Sequence, residues 1–229
     1  ARIIPSTLEI VDSTSIKCVE EYVSVGLPKA GSFLLIEVDG NIAGVEIDAG
    51  AIKKICAENG ASSVEEASDK KAVKDLWKAR RAISASLFRI KPDKINEDIV
   101  VPRSSITELV SGIEDIAAKR GILIACFGHA GDGNIHVNIM YDRKNAKEAA
   151  EADAAVTEVF ELTLSLGGTI SGEHGVGITK SKYLDMELSA TVIELMKKIK
   201  NTVDPKGIMN PGKIFPKEIP PALKKAAVN

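Results

Sequence analysis

Cysteine is scarce in this chain, and its three copies, Cys18, Cys56 and Cys126, are isolated from one another. With an odd number and no CxxC pair, a disulfide scaffold or a thiolate zinc site is excluded as a first reading. Their apolar neighbours suit buried free thiols of a reducing compartment, so the sequence reads as intracellular and cytoplasmic. Excess charge is also missing. The 30 basic and 32 acidic residues leave a formal net charge of −2, which gives no bulk attraction to nucleic acid or to an anionic membrane. No apolar run reaches the length of a transmembrane helix. The opening Ala1-Arg2-Ile3-Ile4-Pro5 is not a signal peptide. It has no initiator methionine, and processing or truncation is the expectation. Low-complexity stretches and internal repeats are absent. No glycine-rich loop is placed to cradle a phosphate, and Gly175-Val176-Gly177 lacks the βαβ context of a dinucleotide fold.

What remains is an ordinary globular composition over 229 residues, enough for one large domain. The first third mixes short strands with helices. Residues 32–38 form an apolar run ended by Asp39-Gly40, which predicts a buried strand. A helix is expected after it, through Cys56 and stopping near Asn59-Gly60. From Lys70 to Leu87 the spacing predicts an amphipathic helix with Val73, Leu76, Trp77, Ile83 and Leu87 on one stripe. Arg80 and Ser84 interrupt that stripe with polar groups.

From residue 97 the pattern turns regular. Residues 98–101 predict a strand, and Ser105 with Glu108 has the spacing of a capping box opening a helix that Gly121 stops. Two strands follow, 122–127 and 135–140, joined by the turn Ala130-Gly131-Asp132-Gly133. A long helix through Val156, Val159, Phe160 and Thr163 ends at Gly167-Gly168, and Thr169-Ile170-Ser171 predicts a last short strand. The order β-α-β-β-α-β predicts an α+β fold, a ferredoxin-like antiparallel sheet with helices on one face and the other face free. A C-terminal helix carries Val192, Leu195, Met196, Ile199 and Val203 on its apolar side. One domain is expected over residues 1–216, with a loose tail at 217–229.

All three histidines fall in glycine-dense turns. In His129-Ala-Gly-Asp-Gly-Asn-Ile-His136 an even-numbered hairpin loop would put both imidazoles on one face, near enough to meet on one cation. An odd loop would separate them. The competing reading is a polar hairpin with one satisfied core histidine. In Gly172-Glu173-His174-Gly175 a carboxylate and an imidazole stand side by side, able to supply a third ligand and a base; a solvated pair in a glycine turn is the plain alternative. Arg80 either snorkels to solvent or serves a carboxylate. In the usual ferredoxin-like order, Glu173 reaches the histidines only across the open face, or in a sheet of more than four strands. Asn210 and Lys213 are in themselves ordinary turn residues.

Three segments together, His129 to His136, Ser171 to Gly177 and Asp204 to Lys213, resemble the C-terminal domain of FAD-linked oxidases. The segments Leu76 to Arg80 and Glu97 to Arg103 resemble the same family, which holds D-lactate dehydrogenases and glycolate oxidase flavoprotein subunits within the vanillyl-alcohol oxidase-like superfamily. The resemblance implies a divalent metal, zinc most often, on His129, His136 and Glu173. It implies that His174 takes the substrate hydroxyl proton, that Arg80 faces the substrate carboxylate with Ser84 nearby, and that Asn210 approaches the flavin. The implied substrate is a small 2-hydroxyacid such as D-lactate or glycolate. Most of the FAD would be held by an N-terminal domain that this sequence does not contain. The chain is then expected to be a fragment or one half of a split enzyme, not competent for turnover alone. Some relatives have a threonine at the position of Ser84, which is not reproduced here. A homodimer is a further expectation, with any membrane contact made through a redox partner, peripheral to the inner membrane face. Two other classes stay open: a non-redox metal-binding or metallohydrolase domain, and an interaction module in which the histidines are incidental.

Overall fold

The structure is a computed structural model that describes residues 3–24, 27, 30–67 and 69–215; the expected tail at 217–229 lies outside them. Five strands form one antiparallel sheet: β1 (Thr7–Asp12), β2 (Ser32–Glu37), β3 (Asp93–Val100), β4 (Leu123–His129) and β5 (Asn134–Tyr141). Their order is β2-β1-β4-β5-β3. The helices are α1 (Ser13–Val23), α2 (Ile42–Glu58), α3 (Lys70–Leu87), α4 (Ile106–Arg120), α5 (Ala146–Ser165), the single turn α6 (Leu184–Glu187) and α7 (Ala190–Val203).

Alternation along each strand divides the sheet into two faces. One face presents Ile99, Ile124, Cys126, Ile135, Val137 and Ile139 to Leu109 and Ile113 of α4 and to Val156, Val159 and Phe160 of α5. Phe160 is fully buried with its ring edge-on to Tyr183, a burial that contributes about 1.5–3 kcal/mol. Gly121 ends α4 in the left-handed conformation and donates back to Ala117 and Ala118. Arg120, in the last turn of that helix, holds Glu151 at 3.1 Å and Glu158 at 2.6 Å on α5.

The antiparallel α+β core agrees with the sequence pattern, but helices occupy both faces. Val11, Ala125, Phe127 and Met140 lie on the second face and pack with Ile16 and Val19 of α1 and with Ala79, Ile83 and Leu87 of α3. The reason is the additional β1-α1-β2 unit, which extends the sheet beyond β4 and lays α1 over it. Asp12 fixes that unit: its carboxylate caps α1 through the Ser15 N–H at 2.7 Å and accepts from the Cys126 N–H at 2.7 Å. On α3 the chain's single tryptophan, Trp77, is half-buried with the Arg81 guanidinium 6.0 Å from its ring centre.

Three local expectations are revised. The strand expected at 169–171 is a single bridge, Thr169 to Val100 on the outer side of β3. Ser105 adopts helical dihedrals at the end of a 3₁₀ turn and makes no side-chain cap, so the capping box does not form. The apolar stripe of α7 is not core: Val192, Leu195, Ile199 and Val203 are exposed, and Ile193 is the buried residue of that helix. α2 has no buried residue at all.

Candidate metal centre and active site

The β4-β5 hairpin pairs His129 with Asn134 and Phe127 with His136, leaving the even four-residue loop 130–133. Both imidazoles therefore project from the second face, in adjacent cross-strand rows. The turn needs glycine at position 133, where φ is +88° and a Cβ would stand 2.0 Å from the Val101 carbonyl oxygen. The two imidazole rings meet edge to face with centres 5.4 Å apart. His136 is nearly buried, and that burial pushes its imidazole below the ordinary range against the opposing pull of Glu173. A neutral imidazole is the form that coordinates a metal.

The chain re-enters this face from the β3 edge. After the bridge at Thr169, the turn 172–174 wraps the end of the sheet around Asp98, which pairs in register with His136. Asp98 is fully buried. Its Oδ2 accepts three successive backbone N–H groups, from Gly172 at 2.8 Å, Glu173 at 2.5 Å and His174 at 2.9 Å. Lys180, also buried, donates to Asp98 Oδ1 and to the carbonyls of Asp98 at 2.7 Å and Ile170 at 2.8 Å. Burial alone would raise the Asp98 carboxyl, but the Lys180 ammonium and the N–H groups outweigh it and hold it at about 2. The result is a fixed negative charge in a nest of donors that sets the path of the Glu173-His174 segment.

That path brings Glu173 Oε1 to 3.3 Å from His136 Nε2 and 3.6 Å from His174 Nε2. His129, His136 and Glu173 each offer a ligand atom, all within 4.8 Å of one another. The His174 ring stacks on His136 with centres 5.5 Å apart, and its Nδ1 lies 3.4 Å from Asp98 Oδ1. All three histidines of the chain thus share one site. The apparent obstacle of strand order disappears because the fourth ferredoxin-like strand is reduced to one bridge, and the glycine turn crosses to the hairpin directly.

Arg80 reaches the same face from α3, lying 4.5 Å over the Phe127 ring. Its Nε and Nη2 bind Glu9 Oε2 at 2.8 and 2.6 Å, while Glu9 Oε1 contacts His129 Nδ1. Ser84 is exposed, and its hydroxyl accepts from the Lys94 ammonium at 2.8 Å. Asn210 stands apart, in a left-handed conformation in the loop after α7, lining a pocket with Lys200, Asp204, Met209 and Lys213. Glu9, Asp98 and Lys180 are the site residues that sequence reasoning missed. A glutamate inside the apolar-alternating strand Thr7–Asp12 was the available signal for Glu9; its pairing with His129 appears only in the structure.

The donor set fits a divalent cation on its own chemistry. Two imidazoles and one carboxylate are a zinc-type set that leaves a coordination position open. Among the described residues the buried Nδ1 of His136 has no hydrogen-bond partner, while its Nε2 faces Glu173 at 3.3 Å.

Comparison with known proteins shows the family of the chain and its likeness in fold. The family described as "FAD linked oxidases, C-terminal domain" matches residues 1–214. Glycolate oxidase subunit GlcD of Bacillus subtilis is 46% identical over 219 residues, 95% of this chain and 47% of that protein. The mitochondrial D-lactate dehydrogenase [cytochrome] of Arabidopsis thaliana is 32% identical over 93% of this chain and 38% of its own length. The chain thus spans about half or less of the curated relatives it matches. In fold it is similar to p-cresol methylhydroxylase, with a TM-score of 0.66 at 13% identity, over 92% of this chain and 47% of that structure.

Proposed function

The chain belongs to the FAD-linked oxidases, as their C-terminal domain, and from that premise we propose that it is the substrate and metal side of a flavin-dependent 2-hydroxyacid dehydrogenase. The substrate class is D-lactate, glycolate or a similar acid, oxidised to the 2-oxoacid. The observation that carries the reading is the convergence of His129, His136 and Glu173 on one point, with a third imidazole, His174, beside them.

On this reading His129, His136 and Glu173 hold a divalent cation, zinc in first place. When bound, the cation supplies Lewis acidity that lowers the pKa of a chelated hydroxyl. His174 takes the hydroxyl proton, its ring held by the stack on His136 and by Asp98. Arg80 commits Nε and Nη2 to Glu9 and retains Nη1 for the substrate carboxylate; Ser84 borders the approach. Asn210, on its separate loop, faces the flavin. A bound flavin would supply the acceptor for the hydride of the substrate carbon.

The partner this domain requires is an FAD-binding domain, and one unit over residues 1–216 is part of the same reading. The outward apolar residues of α7, Leu195 and Ile199 among them, suit a surface covered in an assembly, by that domain or by a second copy in a homodimer. No helix among the described residues is long and apolar enough to cross a membrane. A cytoplasmic protein meeting the membrane only through a redox partner fits that reading.

The test is anaerobic flavin reduction. The chain joined to an FAD-binding domain should lose oxidised-flavin absorbance on addition of D-lactate or glycolate, and His174→Ala should slow that step by about 10²–10⁴-fold. A correctly assembled, metal-loaded protein whose flavin stays oxidised with every small 2-hydroxyacid would refute the proposal.

A further inference from the structure

The contacts of one buried carboxylate point beyond the three ligands. We infer that Glu9 is a positioning residue that holds His129 as its Nδ1–H tautomer, leaving Nε2 for the cation, and ties that ligand to Arg80. This rests on the metal reading above. Glu9 is 5% exposed and sits opposite His129 in the β1-β4 register, so the two side chains project from the same face of adjacent strands. Its two oxygens have separate tasks: Oε1 meets His129 Nδ1, and Oε2 takes two N–H groups of Arg80. A carboxylate acceptor at Nδ1 fixes which nitrogen carries the proton and the rotation of the ring. The same carboxylate compensates the Arg80 guanidinium, which the Phe127 ring holds from the other side. Strand β1, which carries Glu9, is thereby registered to two segments 71 and 120 residues further along the chain: the arginine of α3 and the hairpin histidine. The metal ligand and the anion-binding arginine share a single support, so disturbing either displaces the other.

A purely structural Glu9, present only to balance Arg80, would leave the tautomer of His129 undetermined. The distinguishing measurement is long-range ¹H–¹⁵N correlation of the imidazoles in the metal-stripped chain; with three histidines, single substitutions assign every ring. Wild-type His129 should show Nδ1–H. Calorimetric zinc titration of Glu9→Gln, which keeps volume and an acceptor but no charge, should give an affinity about 10–100-fold weaker than wild type. Finding Nε2–H on wild-type His129 overturns the inference, and that measurement needs no variant to fold. Equal zinc affinity in wild type and E9Q overturns it while leaving the metal reading intact. A wild-type chain that takes up no zinc removes the metal reading and the inference together.

Discussion

The Lys180 ammonium and the Asp98 carboxylate form an ion pair with almost no solvent contact, 3% and 0% exposed at the side chain. Lys180 also lies 3.6 Å from Glu97, whose carboxyl burial pushes upward. Removing one partner of such a pair strands the other charge in a dry place. Lys180→Met should cost about 3–5 kcal/mol of stability, read as the shift in a urea unfolding curve. A cost under about 1 kcal/mol would mean that the pair is solvated and does not fix the Glu173-His174 turn.

Loading the cation should stabilise the fold. Zinc at about 100 times its dissociation constant adds about 2.7 kcal/mol, visible as a rise in the unfolding midpoint that a chelator reverses. His136→Ala should abolish that rise. An unchanged midpoint in wild-type protein at saturating zinc would count against the centre.

Two glycines should respond in opposite directions. At Gly133 the positive φ and the Val101 carbonyl leave no place for a methyl group, so Gly133→Ala should lose at least about 1–3 kcal/mol from backbone conformation alone. It should also displace His129 relative to His136. Gly50, within helix α2, has nothing within 4 Å of an added Cβ, and Gly50→Ala should stabilise by about 0.5–1 kcal/mol. Thermal melts of the two variants decide it.

An acid-sensitive contact joins α4 to α5. Hydrogen bonds from Arg120 and then Lys119 depress the Glu158 carboxyl from its ordinary 4.5 to about 2. Because the folded group titrates below the unfolded one, the contact adds its full stability above about pH 4.5 and loses it as the pH falls toward 2. Wild-type protein should be more stable than Glu158→Gln at pH 7, and the gap should close across that window. A gap independent of pH would assign the effect to packing.

The elements that position the site were readable because each rests on a local rule. Helix α3 runs from Lys70 to Leu87, as the 3.6-residue stripe requires, and Gly121 stops α4 where a left-handed residue is needed. The even hairpin loop put both histidines on one face. What could not be read depends on contacts distant in sequence. Glu9 meets His129 only because β1 joins the sheet at β4, a pairing that alternation alone does not specify. Asp98 looked like a strand residue, and its role follows from three N–H groups more than 70 positions away. The stripe on α7 was correctly apolar, but apolarity does not say whether the described chain supplies its cover. The capping box at Ser105 failed because Pro102 starts a 3₁₀ turn that places Ser105 in helical dihedrals.

The solitary indole of Trp77 stands one helical turn before Arg80, and residues at that spacing are neighbours on a helix surface. Its emission is therefore a native optical gauge of α3, free of interference from any second tryptophan. Small anions could be screened against the unlabelled chain by watching this one fluorophore, with Arg80→Met as the blank.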